Sequence, residues 1–217
     1  MEEPALSLSA FLESPSETLF RFDVVASNSA ISINVPSFEL RRGGTAVLGL
    51  NGAGKSTFLA AVRFAAVSQG VPVTLVSQNA RLPGTFRCKE LLEYLGSLRG
   101  MGRASRQDRA LELLHLVELQ ESANTRVSKL SGGMHQRLLV AQGMMASQRD
   151  RLLLLDEPTV SLDERQAQAV WRALGLAAKE RAVLVSSHES SQALTEMEHV
   201  VWMDRGDVVG PLASAPL

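Results

Sequence analysis

The sequence predicts an α/β fold with a mainly parallel sheet, an N-terminal antiparallel β part and an inserted helical subdomain. Short apolar runs alternate along the chain with segments of helical periodicity, which is the pattern of parallel strands with helices packed on them. Residues 19–25 and 30–40 instead alternate apolar and polar side chains, as strands with one solvated face do. Residues 79–130 hold two amphipathic helical patterns and no convincing strand, so they indicate a helical insertion.

The elements follow in a regular order. Buried strands are predicted at 44–50, 72–78, 151–156 and 182–188. Helices are predicted near 55–68, 87–99, 105–117, 132–147, 163–180 and 189–197. We therefore expect one domain over residues 1–217, with an α/β core at about 19–78 and 148–210 and a helical subdomain at about 79–147.

Composition excludes several classes of protein. The chain has 217 residues, 45% of them apolar and 21% charged, and its net charge of −1 gives no reason to expect a nucleic-acid partner. Cys88 is the only cysteine, so no internal disulfide can form, and we expect a buried, idle thiol. No apolar run approaches the ~18 residues of a membrane span, and the acidic start "MEEPALSLSA" does not resemble a secretory signal. We therefore expect a cytoplasmic protein.

A phosphate-binding loop is predicted at 49–57. The segment "GLNGAGKST" fits G-x-x-x-x-G-K-[ST] and lies between a predicted strand and a predicted helix. Its residues are Gly49, Leu50, Asn51, Gly52, Ala53, Gly54, Lys55, Ser56 and Thr57. Glycines let successive N–H groups point at a phosphate chain, and the helix N-terminus adds its dipole. We expect Lys55 to reach the β- and γ-phosphates and the Ser56 hydroxyl to ligate Mg²⁺.

Polar residues follow three predicted strands at one edge of the sheet. Asp156 ends "RLLLLD", where it can hold Mg²⁺ opposite Ser56, and Glu157 follows at once, suited to orient or deprotonate a water. Gln78 ends "PVTLVSQ", where its amide could contact the metal or the water. His188 ends "AVLVSSH", and at this point a packing role and a functional role for it are equally open.

The segment "SKLSGGMHQRLL" (128–139) places two glycines at the start of a predicted helix, behind Ser131. Glycine in a helix interior costs about 1 kcal/mol against alanine. Gly132 and Gly133 therefore raise the question of what this position makes room for.

Taken in order, "GLNGAGKST", Gln78, "LSGGMHQR", "LLLLDEPTVSLD" and His188 resemble the ATP-binding subunit of ATP-binding cassette (ABC) transporters, over roughly residues 20–210. The resemblance implies that two subunits, expected to be identical, close head to tail around ATP. It implies that Ser131, Gly132 and Gly133 bind the ATP held by the other subunit, and that Asp163 communicates across the dimer.

The same resemblance assigns roles within one subunit. It implies that Glu157 is the catalytic base, that His188 holds the γ-phosphate, and that Gln78 joins the helical subdomain to the site. It implies ATP as substrate with Mg²⁺, a separate transmembrane permease subunit, and a peripheral position on the cytoplasmic face of the membrane.

Three further features resemble one branch of this family, the exporters of antibiotics, bacteriocins or polysaccharides. They are "LPGTFRCKELLEYLGSLRGM", Met134 and "LDERQ". A soluble ABC-type ATPase, such as an iron–sulfur assembly ATPase, stays open as the alternative. Chromosome-structuring members would require sustained heptads, and repair excision members would require zinc-ligand cysteines; the sequence has neither.

Three features depart from the family pattern, the first being Met134, where Gln is the commoner residue. Gln78 follows Lys55 by only 23 positions, so we expect the two-stranded excursion that typical members carry there to be missing. Such ATPases stack adenine on an aromatic ring, yet "VVASNSAIS" (24–32) has none. Phe20 and Phe22 are the nearest candidates, and we expect both to pack within their strand.

Overall fold

The computed structural model describes residues 18–27, 32–145, 151–188 and 191–212. Its strands are β1 (Thr18–Ser27), β2 (Ser32–Arg41), β3 (Gly44–Leu48), β4 (Val73–Val76), β5 (Leu152–Asp156), β6 (Ala182–Ser187), β7 (His199–Asp204) and β8 (Asp207–Leu212). Its helices are α1 (Lys55–Ser68), α2 (Cys88–Leu98), α3 (Arg103–Leu116), α4 (Gly132–Met144), α5 (Glu164–Ala178) and α6 (Ser191–Glu196). Short 3-10 turns lie at Gln120–Ser122 and Val127–Lys129.

Six strands form the central sheet in the order β4-β5-β6-β3-β7-β8. Neighbouring strands from β4 to β7 run parallel, and β8 pairs antiparallel with β7. β1 and β2 form a separate antiparallel pair. The predicted fold class, a mainly parallel core with an N-terminal antiparallel part and inserted helices, is confirmed.

The parallel strands have apolar side chains on both faces because both faces are covered. Successive side chains of a strand point to opposite faces. In β5, Leu153 and Leu155 join a core cluster with α2–α5, whereas Leu152 and Leu154 join a cluster with α1 and the β1–β2 pair. Continuous burial explains why β5 reads as a run of leucines without alternation.

The helical insertion lies between β4 and β5 and comprises α2, α3 and α4. Leu92, Leu113 and Leu138 are fully buried and belong to the same core cluster as Leu153 of the sheet. These helices therefore pack continuously on the sheet, and the division of the chain at about 79 and 147 stays a prediction.

The connection after α1 is short. Helix α1 ends at Ser68, β4 begins at Val73, and no strand lies between them. The expectation that the two-stranded excursion is missing is therefore confirmed. Strand β4 ends at Val76, so Gln78 lies two residues beyond the strand that was predicted to end on it.

The hairpin of β7 and β8 has no counterpart among the predicted elements. It begins at His199, and its turn consists of Arg205 and Gly206, both with positive φ. Cys88 is buried, as expected, and burial raises the pKa of its thiol. Within the part of the chain that the structure describes, no helix is both long enough and apolar enough to cross a bilayer.

Candidate functional site

The phosphate loop connects β3 to α1 and requires glycine for two separate reasons. Gly52 and Gly54 have φ of 84° and 101°, a region that glycine adopts without a steric penalty. At Gly49, an added Cβ would lie 2.4 Å from the carbonyl oxygen of Met203 in β7, so only glycine fits against that strand. The backbone N–H of Gly206 donates to Ala53 O at 2.9 Å, which fastens the loop to the β7–β8 turn.

The N-terminus of α1 is open to an anion. It begins at Lys55, its preceding residue Gly54 offers no side-chain cap, and its first turn holds no acidic residue. The first N–H groups of a helix have no intrahelical partner, and the helix dipole is positive there. Backbone groups at this point can therefore bind phosphate, as the motif predicts.

Lys55 folds back into the loop that carries it. Its Nζ donates to Gly49 O at 2.8 Å and to Leu50 O at 3.2 Å. It also forms an ion pair with Glu157 Oε1 at 3.0 Å, and the two side chains are only 5% and 8% exposed. The cation predicted to bind phosphate and the predicted base are thus in direct contact.

Ser56 and Asp156 also come together. Ser56 Oγ donates to Asp156 Oδ1 at 3.0 Å, although 100 residues separate them in the chain. Mg²⁺ prefers oxygen ligands, and proteins commonly hold it with one or two carboxylates together with substrate phosphates. The described residues contain no cluster of three or more His, Cys, Asp or Glu that could hold a metal alone. This hydroxyl–carboxylate pair therefore fits Mg²⁺ that arrives with a nucleotide.

Glu157 lies at the centre of the site. It follows β5 in a left-handed conformation with φ 48°, which is uncommon for a residue with a side chain. Its Oε2 lies 2.8 Å from His188 Nδ1, at the end of the neighbouring strand β6. Its carbonyl oxygen accepts a bond of 3.5 Å from Gln136 Nε2 of α4. The carboxylate therefore lies between Lys55 and His188.

Gln78 stands apart from this group. It is exposed beyond β4, and among the described residues no hydrogen bond joins it to Asp156 or Glu157. Its part in catalysis or metal binding stays a prediction.

The two glycines of the "LSGGM" segment have different surroundings. Ser131 caps α4, since its Oγ accepts the backbone N–H of Met134 at 3.3 Å. A Cβ at Gly132 would meet nothing within 4 Å, so this glycine faces open space. A Cβ at Gly133 would lie 2.9 Å from Gln166 Oε1 and 3.3 Å from Leu162 Cδ2. Gly133 thus also has a packing reason within its own chain.

Asp163 begins α5. Its Oδ1 accepts the backbone N–H of Gln166 at 2.8 Å, which makes it the N-cap of that helix. Since Gln166 also lies against Gly133, the start of α5 and the start of α4 are neighbours.

The sequence prediction missed two buried polar residues of α4. Arg137 donates to the carbonyl oxygens of Val117 and Glu118, both at 2.9 Å, and burial lowers its pKa. Arg137 therefore ties α4 to the end of α3, while Gln136 ties it to the Glu157 backbone. Both residues follow directly after "GGMH", so their position in the motif is the signal that could have identified them.

The two candidate aromatic side chains, Phe20 and Phe22, pack against each other within β1. Phe22 is fully buried in the core that contains α1, and Phe20 stacks on it with ring centroids 5.7 Å apart. Both belong to strand packing, as the sequence predicted. Residues 28–31 of "VVASNSAIS" lie outside the described residues.

Comparisons with known proteins identify one family. The sequence model of the ABC transporter family matches residues 33–160. The uncharacterized ABC transporter ATP-binding protein YxlF of Bacillus subtilis is 31% identical over 176 residues, covering 75% of this chain and 59% of that protein. The Nod factor export ATP-binding protein I of Bradyrhizobium diazoefficiens is 31% identical over 183 residues, with the same coverage. The chain thus spans about three fifths of the length of these curated relatives.

A solved structure shares the fold. One chain from the dimeric structure of an ATP-binding cassette in a post-hydrolysis state, bound to ADP and Pi, superimposes on this chain with a TM-score of 0.70 at 21% identity. The superposition covers 91% of this chain and 99% of that chain.

Proposed function

Because this chain belongs to the ABC transporter family, we propose that it binds ATP with Mg²⁺ on the phosphate loop and hydrolyses it to power transport across a membrane. The observation that supports this most is the contact of Glu157 with Lys55 at 3.0 Å and with His188 at 2.8 Å. A general base must lie within hydrogen-bond reach of its proton and be held in place. Lys55 and His188 hold the Glu157 carboxylate in place, which supports this role.

The chemistry follows from these positions. The loop N–H groups and Lys55 bind the phosphates. To do so, the Lys55 ammonium leaves Glu157 and pairs with a phosphate oxygen instead. The released Glu157 carboxylate orients a water against the γ-phosphorus and accepts its proton. The water oxygen forms a bond to the γ-phosphorus while the bond from the γ-phosphorus to the bridging oxygen breaks, so that inorganic phosphate forms and ADP leaves with the electron pair. His188 keeps Glu157 turned toward this water.

The metal site fits the same substrate. Ser56 and Asp156 would hold Mg²⁺, which supplies positive charge to the phosphate oxygens when bound.

We further propose that two copies of the chain close head to tail. Ser131 caps α4, and Gly132 leaves its backbone accessible, so the positive end of this helix can approach the phosphates of a second subunit. Asp163 begins the neighbouring helix, next to the same surface. Gly133 would serve this role only in addition to its packing against Gln166.

The proposed transport partner is a separate permease in the membrane, and the direction is export. Support comes from family membership and from one relative named as an export ATP-binding protein. A membrane-spanning protein encoded beside this chain that co-purifies with it would support the assignment. If the chain performs its function without any membrane partner, that result would favour a soluble ABC-type ATPase instead.

The hydrolysis proposal is tested with Glu157→Gln. The amide preserves the shape of the side chain but accepts no proton, so we expect ATP to bind and turnover to fall by about 100-fold or more. Binding is measured with a fluorescent ATP analogue, and turnover is measured as phosphate release. Glu112→Gln is the control, since Glu112 is an exposed acid of α3 that pairs with Arg109. Turnover of Glu157→Gln close to that of Glu112→Gln would refute the assignment of the base.

A further inference from the structure

Ser186 is a fully buried polar residue of β6, for which the mechanism above provides no role. It is the partner of Asp156 in the parallel register of β5 and β6. It therefore lies beside the two acids at the end of β5, although it comes 30 positions after Asp156 in the sequence.

The Ser186 hydroxyl forms a hydrogen bond to each acid's residue. Its Oγ donates to Asp156 Oδ1 at 2.7 Å and accepts the backbone N–H of Glu157 at 2.9 Å. A serine hydroxyl has one proton to donate, so that proton is committed to Asp156. Asp156 Oδ1 also accepts Ser56 Oγ, which means that two hydroxyls fix the same carboxylate oxygen.

The bond to Glu157 matters because of the backbone there. Glu157 is the first residue beyond β5 and has a positive φ of 48°, a conformation that persists only where its surroundings hold it. Its N–H is held by the Ser186 side chain instead of by a strand carbonyl. This bond fixes the turn that directs the Glu157 carboxylate between Lys55 and His188.

We propose that Ser186 is a positioning residue that holds the metal-binding Asp156 and the base Glu157 as one rigid unit. This inference rests on the proposed ATP hydrolysis. Loss of the hydroxyl frees Asp156 Oδ1 on one side and leaves the Glu157 N–H buried without its acceptor. Both the metal dependence and the turnover then change, while the phosphate loop is untouched.

The test compares Ser186→Ala with the parent chain. A hydrogen bond to a charged group contributes enough to change a rate or an affinity by about tenfold or more. We expect phosphate release to slow about tenfold and the half-saturating Mg²⁺ concentration to rise several-fold. Affinity for a fluorescent ATP analogue without Mg²⁺ is expected to stay within about twofold, because this tenfold effect acts only through the two acids.

A second measurement does not depend on turnover. Titration of Mn²⁺ into the chain with a non-hydrolysable ATP analogue reports the metal site directly, and Ser186→Ala is expected to bind Mn²⁺ more weakly. Ser186→Thr retains the hydroxyl and is expected to recover both Mn²⁺ binding and turnover toward the parent values.

Val183→Ala is the structural control. Val183 lies three residues before Ser186 in the same strand and is equally buried, but its side chain packs in the hydrophobic core. This variant is expected to melt earlier and to keep the parent's Mg²⁺ dependence. Parental turnover and Mn²⁺ affinity in Ser186→Ala, or an equal change in Val183→Ala, would overturn the proposal. If the parent hydrolyses ATP in those assays, the failure concerns Ser186 alone; a parent without Mg²⁺-dependent hydrolysis refutes the function itself.

Discussion

Replacing Lys55 by methionine should destabilise the folded chain as well as remove a phosphate ligand. Methionine preserves most of the length of the side chain and removes its charge, so among the described residues His188 is the side chain that still contacts the Glu157 carboxylate. Breaking a buried ion pair by removing one partner costs about 3–5 kcal/mol. Because His188 still contacts Glu157 at 2.8 Å, we take the lower value, about 3 kcal/mol. In a domain of this size each kcal/mol shifts the Tm by about 2–4 °C, so Lys55→Met should melt about 6–12 °C below the parent.

The assay is thermal unfolding at pH 7 without nucleotide, followed by circular dichroism. Lys55→Met/Glu157→Gln should recover most of the loss, because the double variant has no uncompensated carboxylate. Lys89→Met is the matched control: Lys89 pairs with Glu93 at 3.5 Å, but the side chains are 32% and 24% exposed. Such a pair contributes at most about 1 kcal/mol. A Lys55→Met chain that melts with the parent, or a double variant that is no more stable than Lys55→Met, would refute the reasoning.

Two further predictions concern assembly and pH. Subunits carrying Ser131→Arg and subunits carrying Glu157→Gln should each be inactive alone. When they are mixed, each mixed dimer has one intact site and one site that carries both substitutions, so partial ATPase activity should return. If no activity returns in confirmed mixed dimers, the proposed action of Ser131 between subunits is contradicted. Burial lowers the pKa of His135, whose Nε2 accepts the Leu82 N–H, so the unfolded chain binds a proton that the folded chain excludes. Stability is therefore complete above about pH 7 and falls as the pH drops through about 6.5, the ordinary histidine value. His135→Gln should weaken this fall in urea titrations, and His199, whose pKa burial also lowers, should preserve part of it. An unchanged pH dependence would contradict the role of His135.

The elements that the sequence predicted correctly are those whose signal is local. A strand buried on both faces is apolar at every position, so β5 and β6 can be recognised from their own residues. The phosphate loop is likewise encoded by consecutive residues, because glycines and the start of a helix are sufficient to shape it. The proximity of positions 156, 157 and 188 could be predicted because each lies at the end of a strand, and parallel strands present their carboxyl ends at one edge of the sheet.

The features that were missed depend on contacts between distant segments. Ser186 acquires its partners from the register of β5 against β6, which no local pattern specifies. Gly133 is required in part by Gln166, more than thirty positions away. The β7–β8 hairpin did offer a local signal, since Arg205–Gly206 forms a two-residue turn with both φ positive, the type that suits hairpins.

The attachment of the phosphate loop to β7 and β8 has a kinetic consequence. Gly49 lies against Met203, Gly206 donates to Ala53, and Lys55 is held by the loop carbonyls, so the chain itself maintains the curl of the loop. A receptor that is already shaped loses little conformational entropy when it captures its ligand. The slow event in nucleotide capture should then be the transfer of the Lys55 ammonium from Glu157 to a phosphate oxygen. The rate of nucleotide association should therefore respond to salt more than to viscosity or to the number of glycines in the loop.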